Sequence, residues 1–272
     1  MLRRGKLLTF SLISTVAIAL ILLVFWPIHN QLKAITTVRG LPSITQSTAL
    51  GLVPAPFMDV GNTLDFTTSG FVLAQTAPNY RPRQEIQLAD PSNYGDRYST
   101  DAYGRPVNNE FIAVLHETVG SAQSAINLFQ THHPNDNDQV SYHAIIGRDG
   151  TVYYIVPPES RAYGAGNSAF EGDYGPEAVL TNPAFPASVN NFAYHVSLET
   201  PSDGRGNGPS HSGYTQAQYE SLAWLLSRSS IPDRRITTHK SVDRSGSRQD
   251  PRTFDFNYFF SLLHRYPNRT GL

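Results

Sequence analysis

Short apolar runs alternate with amphipathic segments between about residue 105 and residue 265, and this order constrains the fold more than any other feature. Phe111 to His116 is apolar almost throughout, as expected for a strand that is covered on both faces. Thr215 to Ser227 starts with a capping threonine and carries its large apolar residues on one face, which predicts an amphipathic helix. The remaining predicted strands are 142–146, 151–156, 192–199 and 236–239, and the remaining predicted helices are 121–132 and 256–264. This order predicts a single α/β domain over residues 105–268, with a central mixed β-sheet flanked by helices.

The N-terminal segment predicts a membrane anchor that precedes this domain. Basic residues at positions 3, 4 and 6 are followed by an uncharged run from Leu7 to Trp26. About 20 helical residues at about 1.5 Å each reach roughly 30 Å, the thickness of the hydrocarbon core of a bilayer. No small-residue cleavage site follows the run. We therefore predict that residues 1–29 form a single-pass transmembrane helix, with the C-terminal domain on the extracytoplasmic side of the cytoplasmic membrane. The alternative is a cleaved signal peptide and secretion to the periplasm.

Residues 30–104 predict a tether between the anchor and the domain. They contain many prolines among serine, threonine and glutamine, without a sustained period of 2 or 3.6 residues.

The net charge of the chain is -1, which gives no overall field to attract nucleic acid. We therefore expect no nucleic-acid partner, and we expect a monomer.

Two histidines and one aspartate stand at positions where a metal site could form. The chain has no cysteine, so a transition metal would have to be bound by His, Asp or Glu side chains. His116 and His239 end predicted strands, and Asp250 lies in the loop after the second of them. The ends of strands in one sheet meet at a shared crevice. Two histidines and a carboxylate would leave a coordination position open for water or substrate. Each residue taken alone favours the alternative, an ordinary polar residue at a strand end.

Four sequence elements within residues 105–265 resemble the zinc amidases that are related to phage lysozyme-amidases and animal peptidoglycan-recognition proteins. No single element is specific, but all four occur in the order and at the spacing of that family. They are Val114 to Thr118, Val140 to Tyr153, Val196 to Glu199, and Ile236 to His239 followed by Asp250 and Pro251. The resemblance implies that His116, His239 and Asp250 bind Zn²⁺, with Asp250 at a position that some relatives give to cysteine. It also implies an N-acetylmuramoyl-L-alanine amidase, which hydrolyses the amide between N-acetylmuramic acid and L-alanine in peptidoglycan and takes muropeptides as substrates.

The resemblance also implies three catalytic residues. Glu199 matches a strand glutamate near the metal and would act as general base, with a surface or capping carboxylate as the alternative. Tyr142 would hydrogen-bond the developing oxyanion, with a packed aromatic residue as the alternative. Arg248 stands where bacterial and phage relatives commonly carry a lysine, so the charge is kept but the titration is lost. Gly164 is a second departure, because relatives often place a histidine there.

Two other functions stay open at the level of sequence. A peptidoglycan-binding module without catalysis is compatible with the same fold, although the intact metal triad argues against it. A zinc peptidase that cleaves stem peptides is compatible with the triad. His143 and His195 lie within predicted strands, where we expect structural roles.

Overall fold

The computed structural model describes residues 78–206 and 208–269, and the structural statements below refer to these residues. Ten strands are present: β1 (Gln84–Ile86), β2 (Tyr94–Asp96), β3 (Ile112–Glu117), β4 (Ala144–Ile146), β5 (Val152–Tyr154), β6 (Ser160–Ala162), β7 (Phe170–Gly172), β8 (Gly175–Glu177), β9 (Ala193–Leu198) and β10 (Ile236–Thr238). The α-helices are α1 (Ala122–Gln130), α2 (Gln216–Ser227), α3 (His239–Val242) and α4 (Phe256–Leu263). Every helix and strand predicted over 105–268 is thereby confirmed, with bounds that shift by one or two residues.

The main sheet has six strands in the order β1-β5-β4-β9-β3-β10. Strands β4, β9, β3 and β10 are parallel to one another, whereas β5 pairs with β4 in the antiparallel direction. The mixed central sheet of an α/β domain is therefore confirmed. The neighbouring six-residue strands β9 and β3 are buried along their whole length, which explains why Ile112 to Glu117 reads as a nearly continuous apolar run.

Alternate residues of β3 enter different hydrophobic clusters on the two faces of the sheet. Ala113 and Leu115 pack with helices α2 and α4 on one face. Ile112 and Val114 pack on the other face, together with apolar residues of the segment from 165 to 192. Because successive strand residues point to opposite faces, His116 continues the face of Ile112 and Val114, and Glu117 continues the face of Leu115.

Local capping fixes where the helices begin. Thr215 accepts a hydrogen bond from the backbone N–H of Gln218, and the Gln218 side chain accepts one from the backbone N–H of Thr215. This reciprocal capping box is the start that the sequence predicted for α2. Ser121 caps α1 through the backbone N–H of Ser124, and Asp255 caps α4.

Two short strands lie within the residues that were predicted to form the tether. Strand β1 falls within the predicted tether of residues 30–104, yet it pairs with β5 in the main sheet, with Gln84 opposite Val152. Strand β2 pairs with β6 in a separate two-stranded sheet. Strands β1 and β2 are mostly polar in sequence, whereas the three-residue strands β4 and β5 lie in apolar runs, which is why these pairings were not predicted.

The predicted anchor and the first part of the predicted tether lie outside the described residues. Among residues 78–206 and 208–269, none of the helices is both long enough and apolar enough to span a bilayer.

Candidate metal centre

His116, His239 and Asp250 converge at one point beside the main sheet. Each residue offers one ligand atom, and the three atoms lie within 4.8 Å of one another. Oδ2 of Asp250 is 3.3 Å from Nδ1 of His116 and 3.1 Å from Nδ1 of His239. Both histidines are buried, and Asp250 is partly buried. The structure thus brings together the three residues that the sequence suggested as metal ligands.

Two parallel strands and a short helix position these side chains. His116 lies near the end of β3, and the neighbouring strand β10 leads directly into His239, the first residue of α3. Thr238 caps this helix by accepting a hydrogen bond from the backbone N–H of Ser241. The backbone N–H of Lys240 donates to the backbone carbonyl of Asp250 at 2.9 Å, which fastens the loop that carries Asp250 against α3. Hydrogen bonds therefore hold the backbone that carries all three side chains.

The protonation states of His116 and Asp250 suit a bound cation. Burial lowers the pKa of His116 to about 4, with a smaller contribution from the neighbouring His239. Burial alone would raise the pKa of Asp250, but interactions with the two histidines outweigh it, so that this pKa lies below its usual range. Nδ1 of His116 is buried and has no hydrogen-bond partner among the described residues. At neutral pH the site therefore presents a neutral imidazole and a carboxylate, the forms that bind metal ions.

The predicted catalytic residue Tyr142 lies against the metal cluster. Its ring stacks on the ring of His116 with a centroid distance of 4.3 Å, and the edge of Phe129 packs against it. Burial raises the pKa of Tyr142, and the charge of Asp250 raises it further. The phenol therefore stays protonated at neutral pH and can donate a hydrogen bond.

A cavity of about 470 Å³ opens beside the cluster, and Tyr142, His239 and Arg248 share its lining. The guanidinium of Arg248 forms no ion pair among the described residues, although the backbone N–H of Arg248 donates to Asp243 at 3.0 Å. Arg248 nevertheless contributes a positive charge that lowers the pKa of Tyr142. The structure therefore places Tyr142 and Arg248 where the sequence suggested, in the wall of a cleft beside the candidate metal ligands.

Glu199 is the predicted site residue that the structure does not bring into the cluster. Strand β9 ends at Leu198, and the carboxylate of Glu199 accepts a hydrogen bond from the backbone N–H of Arg148 at 3.0 Å. This contact holds the side chain at the turn between β4 and β5. The residue of β9 that lies opposite His116 is Ser197. The backbone N–H of Glu199 still donates to the carbonyl of Ile146 in β4, so it is the side chain that turns away, and the sequence could not show this turn toward Arg148.

Glu117 is a buried carboxylate next to the candidate ligand His116 that the sequence did not single out. Its Oε1 accepts a hydrogen bond from Nε of Arg252 at 2.6 Å, and its Oε2 lies 3.0 Å from Nε2 of His211. Tyr214 and Thr200 donate further hydrogen bonds to the same carboxylate. Glu117 is therefore fully occupied as an acceptor, on the opposite face of β3 from His116.

The sequence also gave no indication of a contact between His116 and His195. Nε2 of His116 is 2.9 Å from Nδ1 of His195, and both rings are fully buried. Burial holds the pKa of His195 well below its usual value, so this ring is neutral. The register of β3 and β9 produces the contact, because His195 lies opposite Val114, two residues before His116.

The sequence profile of a known family matches residues 106–253, a segment that contains all three residues of the cluster. The family is described as N-acetylmuramoyl-L-alanine amidase. No curated protein matches the chain.

Solved structures of amidases resemble the chain at low sequence identity. A selenomethionine derivative of AmpD is 24% identical and covers 67% of this chain and 94% of its own, with a TM-score of 0.47. The N-acetylmuramoyl-L-alanine amidase LysC from Clostridium intestinale is 18% identical, with 68% and 99% covered and a TM-score of 0.42. The solution structure of AmpD from Citrobacter freundii is 23% identical, with 73% and 95% covered and a TM-score of 0.39.

Proposed function

Because the chain belongs to the N-acetylmuramoyl-L-alanine amidase family, we propose that it hydrolyses the amide bond between N-acetylmuramic acid and L-alanine in peptidoglycan. In this proposal His116, His239 and Asp250 hold a zinc ion, and muropeptides are the substrates. The observation that carries the proposal is the convergence of these three donors beside a cleft large enough for a small ligand, with His239 in the wall of that cleft.

The donor set fits zinc in chemistry and in spacing. In a tetrahedral site with bonds of about 2.0–2.2 Å, neighbouring donor atoms lie roughly 3.4 Å apart. The two histidine nitrogens lie 3.3 Å and 3.1 Å from Oδ2 of Asp250. Two imidazole nitrogens and one carboxylate oxygen form a ligand set found in catalytic zinc sites, in which a fourth position stays open. Nδ1 of His116 is buried and makes no well-formed hydrogen bond among the described residues, although Oδ2 of Asp250 lies 3.3 Å away, and a bound cation would give this atom a partner.

Zinc bound at such a site supplies a Lewis acid that polarises the amide carbonyl and acidifies water. The protein's own residues would orient the substrate and stabilise the charge that develops on its carbonyl oxygen. Tyr142 keeps its proton and lines the cleft beside His116, so it can donate a hydrogen bond to that oxygen. Arg248 adds a positive charge in the same wall of the cleft, although it cannot act as a general acid.

Neither nearby glutamate enters the proposed site as a base. Glu199 is bonded to the backbone at Arg148, and Glu117 is paired with Arg252 on the far face of β3. The proposal therefore rests on the metal ligands, Tyr142 and Arg248, and the role of Glu199 is tested separately below.

We also propose that the chain acts outside the cytoplasm as a monomer. Residues 1–29 would span the cytoplasmic membrane once, and the amidase domain would face the periplasmic side, where peptidoglycan lies. The uncharged run from Leu7 to Trp26 and the basic residues before it support this topology.

Mass spectrometry of muropeptide products tests the proposed reaction. Full-length protein purified in detergent is incubated with muropeptides before chelation, after chelation, and after zinc is added back. We expect release of intact stem peptides with a free N-terminal L-alanine, loss of this product with the chelator, and recovery with zinc. Cleavage inside the stem peptide would identify a peptidase, and tight binding of uncleaved muropeptide would identify a binding module.

Two histidine variants test the metal site directly. His239→Ala removes a ligand and should lower zinc affinity by orders of magnitude. His132→Ala is the matched control, because His132 also lies 3.1 Å from an aspartate, Asp90, but is exposed on the surface. Elemental analysis should find about one equivalent of zinc in the control and little in His239→Ala. Full zinc content in His239→Ala would refute the assignment.

A further inference from the structure

The imidazole of His195 lies directly behind the candidate ligand His116. Nδ1 of His195 is 2.9 Å from Nε2 of His116, whereas Nδ1 of His116 faces Asp250 at 3.3 Å. The two ring nitrogens of His116 therefore have different surroundings. Only Nδ1 points toward the other members of the metal cluster, so Nδ1 is the atom that would bind the metal.

The contact with His195 bears on which nitrogen of His116 carries the proton. A neutral imidazole has one N–H and one bare nitrogen, and the hydrogen bond of one nitrogen sets the state of the other. If Nε2 of His116 donates to Nδ1 of His195, then Nδ1 of His116 is bare and can bind a cation. If Nε2 of His116 had no acceptor, the available acceptor for the ring proton would be Asp250, which faces Nδ1 on the metal side.

We propose that His195 is a positioning residue, which accepts the Nε2 proton of His116 and thereby keeps Nδ1 of His116 free for the metal. His195 does not itself line the cleft, and in this proposal it acts through His116. The inference rests on the proposed function, because it assumes the metal site of His116, His239 and Asp250.

The surroundings of His195 hold its ring in one orientation. Its backbone N–H donates to Nδ1 of His143 at 2.9 Å, and the two rings stack with a centroid distance of 5.9 Å. On another side the ring lies against Gly164, where an added Cβ would come within 2.6 Å of Cγ and Nδ1 of His195. Gly164 therefore leaves room for this imidazole, and any side chain at position 164 would press on it.

The proposed hydrogen bond also fixes the tautomer of His195, because Nδ1 accepts and Nε2 therefore carries the ring proton. Nε2 of His195 is buried and has no hydrogen-bond partner among the described residues. A buried donor without a partner costs about 1–3 kcal/mol, so an apolar residue would suit this position better if the ring served only for packing. The contact with His116 is the side-chain hydrogen bond of His195 that accounts for a polar ring here.

Substitutions at position 195 separate the acceptor from the packing. His195→Asn places an amide oxygen near the position of Nδ1 and should retain zinc affinity close to that of the wild type. His195→Leu fills the space but accepts no hydrogen bond, and it should lower zinc affinity about 10- to 100-fold, as loss of such a partner typically does. Zinc affinity is measured on the full-length protein by competition with a chromophoric chelator. Equal affinity for His195→Leu and wild type would overturn the proposal.

Gly164 provides a second test that removes no polar group. Gly164→Ala should displace the ring of His195 and weaken zinc binding, although alanine itself touches no ligand. In a His195→Ala background the ring is absent, so the same substitution should have no further effect on zinc affinity. An additive loss in the double variant would show that Gly164 acts by another route and would contradict the proposed role of His195.

Two controls keep the outcomes distinguishable. Val196→Ala truncates a fully buried neighbour on the opposite face of β9, so it should lower the melting temperature but leave zinc affinity unchanged. His239→Ala is measured in parallel. If His239→Ala keeps its zinc, the proposed function fails; if it loses zinc while His195→Leu and Gly164→Ala bind normally, only the role of His195 fails.

Discussion

Replacement of Arg252 by alanine should strongly destabilise the domain, because Arg252 neutralises a buried carboxylate. Nε of Arg252 donates to Oε1 of Glu117 at 2.6 Å, and Glu117 is only 4% exposed. The other guanidinium nitrogens donate to backbone carbonyls of Gly204, Gly206 and Gly208. Arg252→Ala would leave the charge of Glu117 buried without its cation, and it would free three carbonyls in the loop after β9.

The size of the effect follows from the burial of the pair. Removal of one partner from a buried ion pair costs about 3–5 kcal/mol. For a domain of about 150–250 residues, each kcal/mol shifts the melting temperature by about 2–4 °C, so the loss should be roughly 6–20 °C. Because Arg252 follows the cluster residue Asp250 by two positions and Glu117 follows His116, we also expect weaker zinc binding.

Thermal unfolding of the zinc-free and zinc-loaded proteins measures both effects. Arg244→Ala serves as control, since Arg244 pairs with Glu171 at the surface, where an ion pair contributes about 0–1 kcal/mol. A second variant, Glu117→Gln with Arg252→Met, removes both charges and should be more stable than Arg252→Ala. If Arg252→Ala melts as close to the wild type as Arg244→Ala does, then the buried pair of Glu117 and Arg252 contributes no more to stability than a surface pair.

Four further predictions concern the site and the topology. Arg248→Ala should cost about 2–4 kcal/mol of transition-state stabilisation, whereas Arg248→Lys should keep substantial activity; equal kcat/KM for wild type and Arg248→Ala would remove Arg248 from the site. Glu199→Gln should turn over nearly as fast as wild type, because its described contact is with the backbone of Arg148; a loss of about 10² to 10⁴ in kcat would instead show a general base. Because burial lowers the pKa of His116 to about 4, the unfolded chain takes up a proton here at a higher pH than the folded chain does. This group should therefore reduce the stability of the zinc-free protein by up to about 1.4 kcal/mol per pH unit between about pH 6.5 and 4, and urea titrations that show no such slope would contradict the assignment. Protease added to intact spheroplasts should release a soluble fragment that begins between residue 30 and strand β1, and a protected domain would overturn the proposed topology.

The sequence predicted most of the fold where a structural period could develop over several residues. The continuous apolar run that ends at His116 indicated a strand covered on both faces, and the capping threonine Thr215 indicated the start of α2. Strands β1 and β7 gave no such signal, because each contains only one apolar side chain and neither lies in an apolar run.

The site was predictable to the extent that it depends on strand ends. His116 and His239 meet because β3 and β10 are parallel neighbours, and the ends of parallel strands share one edge of the sheet. The contact between His116 and His195 depends instead on the register of β3 against β9, in which Val114 lies opposite His195. A sequence does not reveal register between strands so far apart in the chain, and for this reason His195 was assigned only a structural role.

Two successive residues at the end of β3 make contacts on opposite faces of the sheet. His116 faces the cluster and is backed by His195, whereas the next residue, Glu117, faces the other way and pairs with Arg252. Arg252 lies just beyond Asp250, so the two contacts fasten two of the three candidate ligands from opposite faces of the sheet. The alternation of strand side chains makes this arrangement sensitive to register. A shift of β3 by one residue would exchange His116 and Glu117, and both the metal donor and the buried ion pair would be lost together.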